Sequence, residues 1–210
     1  EMVKYLRKNM VFPANSGIVP PSLSNYKLNG FSYKPDSVQS LLTNFQLEEK
    51  KDVLKIDLYT TNDYLDLCEY IQSSLSDFGI NLDIKVNPPA IHRELVSDTS
   101  VCFFRGSWIA DYPDPENYLQ LFITKNKSPK GSNRTHFSNL EFDSLYEQTF
   151  VVENNNERQK IFHKMEKIII DSTIIVPLYY DMAVRFISKK ITNFSINSMN
   201  ILSLKNVKKK

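Results

Sequence analysis

Between Val53 and Trp108 the apolar periodicity of this chain switches repeatedly, and that switching leaves few folds open. Val53 to Tyr59 alternates apolar and polar residues, the pattern of a strand with one buried face. Residues 63 to 78 change to helical spacing, with Tyr64, Leu65, Leu67, Cys68, Ile71, Leu75 and Phe78 recurring on one face. Thr60, Thr61, Asn62 and Asp63 supply N-cap candidates, and Gly79 closes the helix. Ile80 to Val86 alternates again, Pro88 to Ser97 reads as a second helix, and Val101 to Trp108 reads as a third strand. Strand, helix, strand, helix, strand with short joints is the pattern of a parallel sheet covered by helices, so the expected fold class is α/β. Ligands of such sheets sit beyond the carboxyl ends of the strands, which places Trp108 and Asp111 at a cleft.

The flanks are less regular. Residues 1 to 34 carry Pro13, Pro20 and Pro21 among Gly, Ser and Asn, and read as irregular apart from a short helix over Val3 to Asn9. Pro35 opens a short helix over Asp36 to Phe45, followed by a charged loop from Gln46 to Asp52. Lys125 to Thr135 is a polar loop. Asn139 to Thr149 and Asn155 to Ile169 read as helices, the second with Ile161, Phe162, Met165, Ile168 and Ile169 as its apolar stripe. Ile174 to Tyr180 and Met182 to Ser188 read as strands, and 190 to 207 as irregular with some strand character.

Several function classes find no support. A formal charge of +2 gives no basic stripe for nucleic acid, and the terminal lysines 208 to 210 read as a solvated end. No apolar run approaches the ~18 residues of a membrane span. His92, His136 and His163 lie far apart without metal-ligand spacing, and no Gly-rich phosphate loop or G-x-S-x-G elbow occurs. Asp111, Asp114 and Glu116 read as an acidic turn, not as an acid/base pair. The expectation is therefore a chain that is not an enzyme and needs no cofactor. Cys68, in a helical pattern, and Cys102, in a buried-strand pattern, offer one disulfide at most and read as buried free thiols.

Phe103 to Tyr118 holds the only Trp. An apolar run there flows into small residues and then into an acidic, proline-stiffened turn. A Trp face and a carboxylate three residues apart suit a ligand with an apolar body and a cationic group. Asp111 either meets that group or caps the turn before Pro113, and Trp108 either lines the cleft or is plain core. Arg105 either clamps a carboxylate or makes a structural ion pair. Tyr112 and Asn133 are weaker candidates, and Asp114 is assigned to the turn.

The run Gly106-Ser107-Trp108-Ile109-Ala110-Asp111-Tyr112-Pro113-Asp114-Pro115 resembles the G-W-x-A-D-Y-x-D-P signature of the extracytoplasmic solute-binding proteins that serve ABC importers of peptides and nickel, with Ser107 where glycine is usual. Gly17-Ile18-Val19-Pro20-Pro21 is similar to that family's G-x-x-P-P loop. Tyr33 to Leu42 resembles its Y-D-P-E-K-A-K-x-L-L helix start, and Arg134 to Leu145 its A-R-Y-S-N-P-E-F-D-x-L segment. The four motifs stand in the family's order.

The resemblance implies one lobe of a two-lobed periplasmic-binding-protein-like (type II) fold. Residues 35–189 would form the C-terminal lobe, 1–34 would continue from a preceding region, and 190–210 would return towards the other lobe. It implies capture of a short peptide between the lobes by a monomer and delivery to ABC permease subunits, outside the cytoplasm or lipid-anchored. Family members are about twice this length or more, so an export signal is expected in a missing first half, and the isolated chain is expected to bind weakly. Asp111 would pair with a ligand's free amino group. The backbone of Ser107, Trp108 and Ile109 would pair with an extended peptide, and Arg105 would meet its carboxylate. A nickel, haem or sugar ligand on the same scaffold, or a sensor domain of a regulatory protein, are the alternatives.

Overall fold

A computed structural model describes residues 2–49, 54–197 and 201–210. Helix α1 (Met2–Leu6) leads into a two-residue strand β1 (Phe12–Pro13), and helix α2 covers Pro35–Glu49. The helix thus runs four residues past Phe45, through the start of the segment read as a charged loop. Leu47, Glu48 and Glu49 are good helix formers with no breaker among them, which explains the extension. Residues 50–53 lie outside the described residues, including the expected strand start at Val53.

Strands β2 (Lys55–Thr60) and β3 (Asn81–Val86) pair in parallel from Lys55–Asn81 to Thr60–Val86. Helix α3 (Leu65–Ser76) makes the crossover and α4 (Pro89–Ser97) follows β3. The α3 stripe buries Cys68 against Leu58 of β2 and Leu82 of β3, with Ile71 and Leu75 packed alongside. Gly79, at φ +76°, takes the left-handed conformation that ends the helix and lets Ile80 N–H bond back to Leu75 O at 3.2 Å.

The third strand, expected over Val101 to Trp108, is reduced to a single bridge. One parallel bridge joins Tyr59 to Phe104: Tyr59 N–H donates to Phe103 O at 3.1 Å, and Arg105 N–H donates to Tyr59 O at 2.9 Å. Beyond Arg105 the chain leaves the ladder. Two N–H groups there, the Trp108 indole and the Asp111 amide, are taken by a side chain described below. Cys102 is exposed, contrary to the buried-strand reading, while Cys68 is buried. The Cys102 thiol should react with a thiol reagent in the native chain within minutes, and Cys68 only on unfolding. Protection of both would contradict this exposure.

The larger core is helical. After Asp111 to Asp114 comes a short helix α5 (Glu116–Leu119), which runs into a tight turn at Gln120–Phe122. Helices α6 (Leu140–Gln148) and α7 (Asn155–Asp171) follow. Asn139 caps α6 by accepting from Phe142 N–H at 2.9 Å, and Asn154 caps α7 by accepting from Asn156 and Glu157 N–H. Leu119, Phe122, Phe142, Leu145, Phe162, Met165 and Ile169 bury together. Phe142 meets Phe122 and Phe137 edge-on, at 6.4 and 5.9 Å between ring centres. The irregular first segment joins this core through Val19, with Ile18, Leu23 and Tyr26 packed on it.

Two expected strands shrink. Only Tyr179–Tyr180 (β4) forms a ladder, antiparallel to β1. Residues 182–188 form no strand ladder among the described residues, and Met182, Val184 and Phe186 are exposed. A period-two pattern needs a neighbouring strand to become a ladder, and none pairs with it among the described residues. Near the end, β5 (Ile191–Thr192) pairs antiparallel with β6 (Lys208–Lys209).

Candidate functional site

The sheet sets the direction of the site. Phe103–Arg105 runs parallel to β2, so Gly106 to Asp111 emerges on the side where β2 and β3 end, beside Thr61–Asp63 and Asn87–Pro89. A shallow hollow lined by Thr61, Asn62, Asp63, Val86, Asn87, Pro88 and Pro89 lies at those carboxyl ends. Arg105 projects its guanidinium onto the Tyr64 ring, 3.1 Å from the ring centre, and its carbonyl meets His92 Nε2 at 3.0 Å. The first contact orients the cation, and the second ties α4 to the strand end.

Asn117, on α5, is fully buried and organises the turn. Its Oδ1 accepts from Trp108 Nε1–H at 2.8 Å and from Asp111 N–H at 3.2 Å. Trp108 is half-buried. Asp111 is exposed, and no hydrogen bond or ion pair engages its carboxylate among the described residues. Likewise, none engages the backbone of Ser107, Trp108 or Ile109. Ser107 is exposed, and the Ile109 side chain is 86% exposed. The rim therefore offers a carboxylate, an indole and a stretch of free peptide groups together.

Tyr112 is spoken for at its tip. Its hydroxyl donates to Glu116 Oε2, and Tyr146 donates to Glu116 Oε1. Lost hydration, and then the bond to that carboxylate, push the Tyr112 phenol pKa up. Asp114 belongs to the turn: its Oδ1 caps α5 by accepting from Glu116 N–H at 2.9 Å. It also takes the Arg158 guanidinium of α7 in a two-pronged pair, at 2.6 and 3.1 Å. The rim is thus braced against the helical core. Asn133 holds its loop together. It is buried, donates twice from Nδ2, to Ile123 O and Phe137 O, and accepts from Thr135 Oγ1, so its amide is used up internally.

Asn117 had one signal in the sequence, an Asn three residues after Asp114 in an acidic turn that precedes the apolar-rich segment Tyr118-Leu119-Gln120-Leu121-Phe122. Other chemistry-bearing groups serve the scaffold. Ser128 Oγ lies 2.9 Å from Ser97 O and 3.0 Å from His136 Nε2. A carbonyl only accepts, so the hydroxyl proton goes to Ser97, and His136 donates; this polarity is the reverse of an activated nucleophile. Among the described residues no group of three His, Cys, Asp or Glu side chains could hold a metal, and no helix is long and apolar enough to cross a membrane.

The short parallel sheet with flanking helices, ending in this rim, is the architecture of a lobe of a type II periplasmic-binding fold. Residues 1–130 match the family described as bacterial extracellular solute-binding proteins, family 5 Middle, and the chain belongs to that family. The family is one of solute-binding proteins and not of enzymes. The chain is 25% identical over 190 residues to the oligopeptide-binding protein OppA of Bacillus subtilis, covering 85% of this chain and 34% of that protein. It superposes on the periplasmic binding protein DppA of Helicobacter pylori, solved with the peptide STSA, with a TM-score of 0.77 and 22% identity over 85% of this chain and 35% of the other. A dipeptide-binding protein of Pseudoalteromonas, solved with Met-Leu, gives a TM-score of 0.76 and 21% identity over all of this chain and 42% of the other. The chain spans about a third of the length of the curated relatives it matches.

Proposed function

We propose that this chain contributes one wall of the ligand cleft in the substrate-binding component of an ABC importer, and that the ligand is a short peptide with a free amino terminus. The observation that carries the proposal is the Asp111 carboxylate, exposed and unpaired among the described residues, with its own backbone fixed by buried Asn117. An anionic group held without a partner at the end of a parallel sheet suits an ammonium. The free peptide groups of Ser107, Trp108 and Ile109 can extend a bound peptide as an added strand, recognising its backbone and leaving its side chains unread. Arg105, stacked on Tyr64, presents a cation of fixed direction for the peptide's carboxylate. A second lobe closes over the ligand, because only contacts made by both walls favour the closed state. The complex then docks on membrane permease subunits outside the cytoplasm. Two of the solved relatives carry peptides, and that supports the choice of ligand.

The test is calorimetry on the protein in its full reading frame. Asp111→Asn removes a charge-assisted bond worth about 1.5–3 kcal/mol, so affinity for peptides with a free amino terminus should fall about 10- to 150-fold. Affinity for N-acetylated peptides should barely change. Equal affinity of the Asp111→Asn protein and its parent for a free-amino peptide would overturn the proposal. So would unaltered binding of a sugar in place of any peptide.

A further inference from the structure

We propose that Asn117 is the positioning residue of this rim, holding the Trp108 indole and the Asp111 backbone in a fixed relation so that ring and carboxylate meet one ligand together. The inference rests on the reading of Asp111 as the ammonium partner. Trp108 and Asp111 stand three residues apart, beyond the last ladder bond at Arg105. Nothing in a free loop would set the indole plane relative to the carboxylate. Asn117 does so with a single atom, since Oδ1 receives both Trp108 Nε1–H and Asp111 N–H.

The side-chain orientation is fixed by its partners. Both are donors, so the amide cannot be turned end for end without setting N–H against N–H. The other half of the amide makes the argument sharper. Asn117 Nδ2 is buried and makes no hydrogen bond of normal geometry among the described residues; the group it meets is the Tyr112 phenol, which already donates to Glu116. Both ties to Trp108 and Asp111 fall on the carbonyl, so the carbonyl is what suits Asn to this position. The support beneath it is rigid: Asn117 N–H donates to Asp114 O at 3.1 Å, Asp114 is gripped by Arg158, and Arg158 stands on α7 with its guanidinium 4.7 Å from the centre of the buried Phe162 ring. Core packing is thereby relayed to the two groups that would touch ligand.

The experiment uses the protein in its full reading frame, with the Trp108 indole resonance assigned through Trp108→Phe. Asn117→Leu keeps the volume and removes the acceptor, whereas Asn117→Asp keeps an acceptor. Hydrogen exchange at the Trp108 indole should speed up at least about tenfold in the Leu variant and stay slow in the Asp variant. Affinity for a free-amino peptide should fall about tenfold in Asn117→Leu. In an Asp111→Asn background, the same change should cost less than about twofold, because Asn117 acts through Asp111. Unchanged exchange and affinity in Asn117→Leu overturn the proposal. An equal loss in both backgrounds does so too, since it marks a merely structural role. Should the Leu variant not fold, the Asp variant decides: retained indole protection supports the proposal and lost protection overturns it. If Asp111→Asn alone leaves peptide affinity intact, the ligand reading fails, while the indole arm still judges the tie between Asn117 and Trp108.

Discussion

Glu166→Ala is expected to destabilise the protein by about 4 kcal/mol at pH 6, seen as a fall in Tm of about 10 °C. Glu166 lies on α7, 1% exposed, among Phe162, Met165 and Ile169. Its Oε1 accepts from Ile18 N–H at 2.6 Å and from Val19 N–H at 2.8 Å, clamping the first segment onto the core. Removing it orphans two backbone donors, one of them on a residue only 1% exposed, at about 1–3 kcal/mol each, and opens a cavity besides. Gly17 belongs to the same device. It sits at φ +113°, and a Cβ there would overlap Glu166 Oε1. Tyr180 donates to Gly17 O at 2.7 Å and closes the loop from the other side. Calorimetric unfolding checks the expectation, and a Tm unchanged within 2 °C would contradict the clamp.

This clamp also illustrates what the sequence could and could not disclose. Gly17-Ile18-Val19-Pro20-Pro21 is visible as a motif, but its partner lies about 150 residues further on, and Glu166 reads as one more charge on an amphipathic helix. Helices α3, α6 and α7 and strands β2 and β3 are legible because each buries residues against a neighbour, and burial writes a period into the chain. The third strand is shorter than its apolar run suggests, and no local window shows that Asn117, nine residues past Trp108, holds the Trp108 indole and the Asp111 amide beyond the ladder. Residues 182–188 show the converse: the alternation is present, and no strand ladder forms there among the described residues. In the rim, residue types were legible and their division of labour was not. Trp108, Asp111 and Arg105 stood out by chemistry. Which amides stay free and which are consumed, as with Asn133 against Ser107, depends on contacts that no local window contains.

The rim and the clamp are joined through α7. Its first half carries Arg158, which fixes Asp114 and hence α5 and Asn117. Its second half carries Glu166, which fixes the Gly17 loop. One helix thus holds both the proposed binding rim and the Gly17 loop, which couples the rim to the core.

The same clamp gives the protein a pH response of definite sign. Burial pushes the Glu166 carboxyl up from 4.5 to about 7, outweighing the opposing pull of the Val19 and Ile18 amides and of the nearby Tyr26 phenol. Tyr26 Oη and Glu166 Oε2 are both buried and form no hydrogen bond of normal geometry, so a proton on Oε2 could serve both atoms by donating to the phenol. Between pH 4.5 and about 7 the native protein then holds a proton that the unfolded chain has released. The unfolded state binds fewer protons there, so stability falls as pH rises through this window and levels off above it. A shift of this size corresponds to about 3 kcal/mol, or about 8 °C in Tm. Glu166→Gln keeps the acceptor for Ile18 and Val19, donates to Tyr26 from Nε2, and does not titrate. Every other pH-dependent contribution is common to the two proteins, so the informative quantity is the difference between them. From pH 5 to pH 8 the Tm of Glu166→Gln should gain about 8 °C relative to its parent, leaving the variant at least as stable at pH 8. A difference that stays flat across that range would mean that Glu166 is ionised in the fold throughout, with its charge carried by the two amides alone.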